Sequence, residues 1–270
     1  STKAILPVHL FGLSADMDLI NEIAKMNKLW VVEDAACGFG SYYKGKHVGT
    51  FGDTGCFSFH PRKAITTGEG GMVTTSNEEL GEKIKRLRDH GAGISDLQRH
   101  LGSKPYLLAD HPDAGYNQRM TDIQGALGSN QMDRANEIVK ERRRLARKYN
   151  DSFRDLNWLQ TPYEPKKYQH GYQSYPCLFL PEEIQSGKVK EVHSKRNAWM
   201  EELQKSGIST RPATHAVHML NFYEKKYNLK PEDFPNARIA NDCSISLPLF
   251  HGLSDDEQNY VIEKVHNFKY

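Results

Sequence analysis

The heptapeptide LWVVEDA, Leu29 to Ala35, constrains the fold more than any other stretch of this chain. Its apolar residues run without alternation, the pattern of a strand covered on both faces, and such strands sit at the centre of largely parallel sheets. Parallel strands need crossover segments, and the neighbouring sequence supplies them. KAILPVHL reads as a second buried strand, and DMDLINEIAKMNK, between the two, sets Met17, Ile20, Ile23 and Ala24 on one helical face. DTGCFSFH and GMVTT are further strand candidates. NEELGEKIKRLRDHG is a helix with Leu80, Ile84 and Leu87 inward and Gly91 as its C-cap. This alternation predicts an α/β layered domain with a mostly parallel sheet.

Beyond it, MTDIQGALGSNQM opens with Thr121-x-x-Gln124, a capping-box pattern, and its small residues Gly125, Ala126, Gly128 and Ser129 permit close packing. After a short break, a long charged helix runs from about Asp133 to Leu156, with Ile138, Arg142, Leu145, Tyr149 and Phe153 at helical spacing. Most of the arginines in KERRRLARK then line its solvated face. After NWLQTPYEP the pattern changes to a strand (SYPCLFL), a helix (RNAWMEELQKSG), a strand-like ISTRP and a closing helix from about Ser254. The expected organisation is a large domain over residues 1–156, ending in the long linking helix, and a smaller α+β domain over 157–270.

Composition removes several functional classes. The 36 basic and 34 acidic side chains leave a net charge of +2, which provides no electrostatic footprint for nucleic acid or an anionic membrane. Cys37, Cys56, Cys177 and Cys243 are scattered and form no CxxC pair, so neither a zinc or iron–sulfur site nor a disulfide framework is expected. No apolar run has the length of a membrane span, and the default location is the cytoplasm.

The chemistry-bearing residues cluster early. Acids at the carboxyl end of a parallel strand lie where open α/β sheets bind ligands, and side-chain alternation lets only one of Glu33 and Asp34 face a given pocket. A helix N-cap or a loop salt bridge is an equal reading of that pair. On GCFSFH, alternation puts Cys56, Ser58 and His60 on one face, where Ser58 can donate to an anion and His60 can stack or donate. Pro61 ends that strand and leaves Lys63 in a turn before GEGG. A lysine attacks a carbonyl only when its amine is held neutral by burial or by nearby cations, and a basic surface turn is the plain alternative.

The order of these features carries more than any one of them. VVEDAACGFGSYYKGKHVGTFGDTGCFSFHPRKAITTGEGGMVTT closely resembles the DegT/DnrJ/EryC1/StrS family of fold-type I sugar aminotransferases that use pyridoxal 5′-phosphate (PLP). The resemblance continues through GYNQRMTDIQGALGSNQ to SISLPLF, essentially the whole chain. It implies that Lys63 is the lysine bonded covalently to the cofactor and that Asp34 is the acid paired with its pyridine nitrogen. It likewise implies that Ser58 binds the cofactor phosphate and that Asn117 reaches the phosphate of a neighbouring subunit, making a homodimer with shared active sites. Cys37 stands where many members carry glutamine or histidine near the ring, and His60 lies beside the same site. Members that dehydrate sugars have histidine at the position of Lys63, so the lysine favours amino transfer.

The function so implied is transfer of an amino group from L-glutamate, via PLP, to a nucleotide-linked keto-deoxysugar. The alternatives are a PLP-dependent sugar dehydratase, or an inactive or regulatory homologue or fragment. GISTRPATHAVHMLNFY is similar to the matching part of perosamine-synthase-like members, which implies substrate-side roles for Arg211 and His215. HAVH lacks a third ligand, and no metal is expected. STKAILPVHL enters a strand-like run at once, whereas family chains begin well before it with a segment that cups the cofactor phosphate. The large domain is therefore expected to be incomplete at its N-terminus, with an exposed sheet edge and apolar face.

Overall fold

The computed structural model describes residues 1–94, 100–102, 106, 108–185 and 187–269. These form two compact units, one of residues 1–10 and 14–135, the other of residues 11–13 and 136–270. The sequence pattern divides the chain after residue 156, whereas the contacts divide it at Ala135, so the long charged helix packs within the second unit.

The first unit is built on a four-stranded sheet of β1 (Ala4–Ile5), β2 (Trp30–Asp34), β3 (Thr54–Ser58) and β4 (Gly71–Thr74), in that spatial order. β1 and β2 are parallel, β2 and β3 are parallel, and β4 returns antiparallel. The mostly parallel sheet expected from LWVVEDA is therefore present. The crossover from β1 to β2 is α1 (Met17–Asn27), capped by Asp16 and closed by Lys28 in the left-handed conformation. Met17 and Ala24 are buried, as the helical spacing predicts, but Ile23 is 52% exposed. Leu6 just after β1, Leu19 and Met26 of α1 and Trp30 at the start of β2 are exposed apolar residues as well. In α2 (Glu78–Arg88) the predicted inward residues Leu80, Ile84 and Leu87 are half-buried, and Gly91 closes the helix by donating to Arg86.

One buried carboxylate organises the carboxyl end of β2. Glu33 is fully buried and accepts four hydrogen bonds. Oε1 accepts from the Phe51 and Gly52 amides at 2.6 and 2.7 Å, and Oε2 from the Gly49 amide at 2.6 Å and from His9 Nε2 at 2.9 Å. The loop after residue 48 comes this close only because it meets glycine with glycine. A Cβ on Gly55 of β3 would overlap the backbone of Gly49, and Gly49 itself has φ +79° with the Phe57 ring against it.

In the second unit, α4 (Ala135–Ser152) begins one residue after α3 (Asp122–Asp133) and buries Ile138, Arg142, Leu145 and Tyr149. This is the face the sequence spacing selects. It packs with a three-stranded antiparallel sheet of β5 (Leu159–Gln160), β6 (Tyr175–Phe179) and β7 (Ser244–Leu247). Arg142 is the buried member of the arginine run. Its guanidinium donates to the carbonyls of Tyr172, Gln173 and Leu249, and burial pushes its pKa down to about 10. The strand-like ISTRP contributes a single bridge, between Arg211 and Ser246.

Burial pushes the Glu33 carboxyl up, but hydrogen bonds from His9, Gly52, Gly49 and Phe51 outweigh it and hold its pKa below the ordinary 4.5. A carboxyl with a depressed folded pKa stabilises fully above its unfolded value and loses that contribution as pH falls through the folded value. In Glu33→Gln the side-chain NH2 must face two of the four donors. The variant is expected to lose about 2 kcal/mol or more at neutral pH, measured by denaturant unfolding. The gap from the parent protein should narrow steadily below about pH 4.5.

Candidate active site

The alternation that turns Glu33 into the interior turns Asp34 to the opposite face of β2. Asp34 is half-buried, and its Oδ1 accepts from the Ala36 amide at 3.0 Å. Its backbone is held on both sides. The Asp34 amide donates to Pro7 O at 2.8 Å, the His9 amide donates to Asp34 O at 3.0 Å, and on the β3 side Ala35 donates to Cys56 O at 2.9 Å. Cys56 stands opposite Asp34 in the strand register, and burial followed by the Asp34 charge raises its thiol pKa.

β3 ends at Ser58, and the chain then turns through Pro61 to Lys63. The Lys63 amide donates to His60 O at 2.9 Å, and buried Ile65 anchors the far side of the turn. Thr66 donates its amide to Gln131 Oε1 of α3 at 3.1 Å. The same helix is capped by the predicted Thr121–Gln124 box, and Gln124 reaches across to donate to Glu69 O at 2.9 Å. A Cβ on Gly128 would press on Thr67 at 2.9 Å, so one of the small residues of α3 serves close packing against the lysine turn. Gly125 instead faces open space, and Ile123 beside it is 83% exposed.

Lys63 Nζ lies 3.3 Å from Cys37 Sγ. The structure thus brings two predicted residues, 26 positions apart in sequence, into direct contact beside the strand end that carries Asp34. Ser58 is half-buried, and its Oγ accepts from the His60 amide at 3.4 Å. The His60 ring is engaged by its own turn: Nδ1 accepts from the Arg62 amide at 3.2 Å, and Nε2 is 3.9 Å from Glu69 Oε1.

Asn117 is exposed. Its neighbours fix its backbone, because Tyr116 donates to Leu87 O at 2.7 Å and Gln118 donates to Arg88 O at 2.8 Å. Arg211 and His215 are exposed residues of the second unit. Of the HAVH pair, His218 is buried and uses Nε2 on Pro231 O at 3.2 Å. Among the described residues no group of three His, Cys, Asp or Glu is placed to hold a metal.

The donor set fits a cofactor that is itself both cationic and carbonyl-bearing. Among the described residues Lys63 has no carboxylate partner and Asp34 has no cationic one. A half-buried acid and a half-buried amine left unneutralised on neighbouring structural elements suit a pyridinium ring carrying an aldehyde. Sequence reasoning did not identify His9 or the use made of Glu33. Alternation along PVHL puts Pro7 and His9 on one side, but nothing local there signals a carboxylate partner.

The chain matches the model of the DegT/DnrJ/EryC1/StrS aminotransferase family over residues 1–266. It is 36% identical over 270 residues to the GDP-perosamine synthase of Escherichia coli O157:H7, covering 99% of this chain and 66% of that protein. Among solved structures it resembles Helicobacter pylori PseC, an aminotransferase involved in the biosynthesis of pseudoaminic acid. That match has TM-score 0.87 and 28% identity, covering 98% of this chain and 66% of that one. The PLP form of a putative sugar aminotransferase from Streptococcus pneumoniae matches with TM-score 0.83 and 27% identity, over 97% of this chain and 67% of that one. The chain thus spans just under two thirds of the length of the curated relatives it matches. It belongs to the DegT/DnrJ/EryC1/StrS aminotransferase family.

Proposed function

We propose that this chain carries the catalytic lysine of a PLP-dependent aminotransferase that moves an amino group from L-glutamate to a nucleotide-linked keto-deoxysugar. The observation that carries this reading is the Lys63 amine beside Cys37, in the turn after β3, with Asp34 at the end of the adjacent strand. Relatives named for GDP-perosamine synthesis and spore coat polysaccharide biosynthesis support the sugar class. When bound, PLP supplies an aldehyde that bonds amines and a ring that delocalises the electrons of a broken C–H bond.

Each side chain then has a defined task. Asp34 keeps the pyridine nitrogen protonated through a charge-assisted hydrogen bond. The Lys63 amine would move a proton between the donor α-carbon and the cofactor carbon that bears the aldehyde. Ser58 donates to the phosphate, and Cys37 and His60 line the same end of the sheet. Asn117, exposed on its own subunit, donates its amide to the phosphate held by a partner copy, which makes the homodimer part of the site. Arg211 and His215 serve the sugar side. The deaminated donor would leave before the sugar enters, with the amino group retained by the loaded enzyme, which gives ping-pong kinetics.

Three measurements test these assignments. Borohydride reduction of the PLP-loaded protein should place the cofactor on Lys63 in peptide mapping, and labelling of Lys3, Lys44 or Lys46 instead overturns the lysine assignment. Asp34→Asn should lower turnover by at least about 100-fold, the scale of losing a positioned electrostatic or proton-transfer group. Wild-type-like turnover in that variant would exclude Asp34 as the ring partner. Finally, a mixture of Lys63→Ala and Asn117→Ala chains should regain activity that neither has alone, because one mixed site combines both intact residues. Absence of recovery despite confirmed subunit exchange would make Asn117 a residue of its own subunit only.

A further inference from the structure

The geometry points to His9 and Glu33 as positioning residues that hold Asp34 in place, an inference that rests on Asp34 being the cofactor partner.

Asp34 is gripped on one side by the segment Pro7–His9, which accepts its amide proton and donates to its carbonyl. That segment lies beyond the end of β1 and meets β2 through a single isolated bridge, Val8 to Asp34. Apolar burial does little to hold it, because Leu6, Val8 and Leu10 are 62%, 45% and 43% exposed. The inward side chains are Pro7 and His9, and the imidazole of His9 is fully buried and tied at both nitrogens. Nδ1 accepts from the Ala15 amide at 3.1 Å, and Nε2 meets Glu33 Oε2 at 2.9 Å. A ring nitrogen that accepts an N–H carries no proton, so the proton sits on Nε2 and His9 is a neutral donor. Glu33 is itself immobilised by the amides of Gly49, Phe51 and Gly52.

The tether therefore runs from the residue 49–52 loop through Glu33 to the His9 ring, then through the His9 backbone to Asp34. His9 and Glu33 act on the strand from the face opposite the Asp34 carboxylate. Both side chains are fully buried on that face and act on Asp34 through the backbone rung. Loss of the His9 ring frees one wall of that rung, and the carboxylate then samples positions away from the pyridine nitrogen.

The test compares His9→Leu, which removes both contacts, with His9→Gln, whose side-chain amide can still donate to Glu33. Two readouts are needed: hydrogen exchange of the Asp34 amide without cofactor, and the PLP dissociation constant of the folded protein. In His9→Leu the Asp34 amide should exchange at least about tenfold faster than the global stability loss accounts for, and PLP should bind about tenfold more weakly. His9→Gln should recover most of both. If His9→Leu does not fold, His9→Asn, which can keep the Ala15 contact but cannot reach Glu33, takes its place in the comparison. An Asp34 amide that exchanges no faster than the rest of the sheet in the folded variant overturns the proposal. So does unchanged PLP affinity, which would leave His9 a purely structural residue. Failure of the unsubstituted protein to bind PLP sinks the cofactor reading instead, while Asp34 exchange still decides whether the tether exists.

Discussion

Four N–H groups converge on the Glu33 carboxylate, and the rest of the first unit is arranged around that convergence. A buried carboxylate costs several kcal/mol unless its oxygens are fully hydrogen-bonded, so the amides must come to it. Bringing them there needs a loop whose backbone lies against β3, which in turn needs glycine at both 49 and 55. Once the carboxylate is satisfied on one face of β2, strand alternation leaves Asp34 on the other. A single-residue slip of β2 would bury Asp34 against the loop amides and expose Glu33, so the network also specifies the register.

This explains which parts of the site were legible in the sequence. Continuous apolar character identified β2, and the period of two showed that Glu33 and Asp34 face opposite ways. Periodicity could not say which of them was already committed, because the partners of Glu33 lie 16 to 24 residues away. His9 was invisible for the same reason: a lone histidine at a strand end carries no local signal of a buried carboxylate. Pro61 located the end of β3 only to within two residues, since the strand stops at Ser58 and His60 lies outside the alternation. The Thr121–Gln124 box, by contrast, was readable because its chemistry is complete within four residues.

The second unit shows the complementary limit. Helical spacing chose the buried face of α4, down to the buried Arg142, but a helix face does not reveal which core it enters. The groups that receive Arg142 and Tyr149 include the carbonyls of Leu249 and Pro248, about a hundred residues further along. Spacing alone assigned the helix to the first half of the chain. In α1 the same reasoning overestimated burial, because a 3.6-residue stripe identifies what can be covered and says nothing about whether a neighbour covers it.

What separates Lys63 from the ion-paired lysines is that its half-buried amine meets a thiol and, among the described residues, no carboxylate. Lys44, Lys85, Lys148 and Lys195 each pair with a carboxylate, which holds the amine charged and tethered at the surface. Lys63 meets a thiol, and among the described residues no ion pair joins it to Asp34. Had the turn placed amine and acid within bonding distance, they would have neutralised each other and left neither free for a ligand. Asp34 is held at a strand end by the His9 side of the sheet, while Lys63 is carried on a turn pinned by Ile65 and Gln131. The two groups are thus positioned by independent contacts. On the proposed assignment, that independence lets one cofactor meet an anion at its ring nitrogen and an amine at its aldehyde without either being consumed by the other.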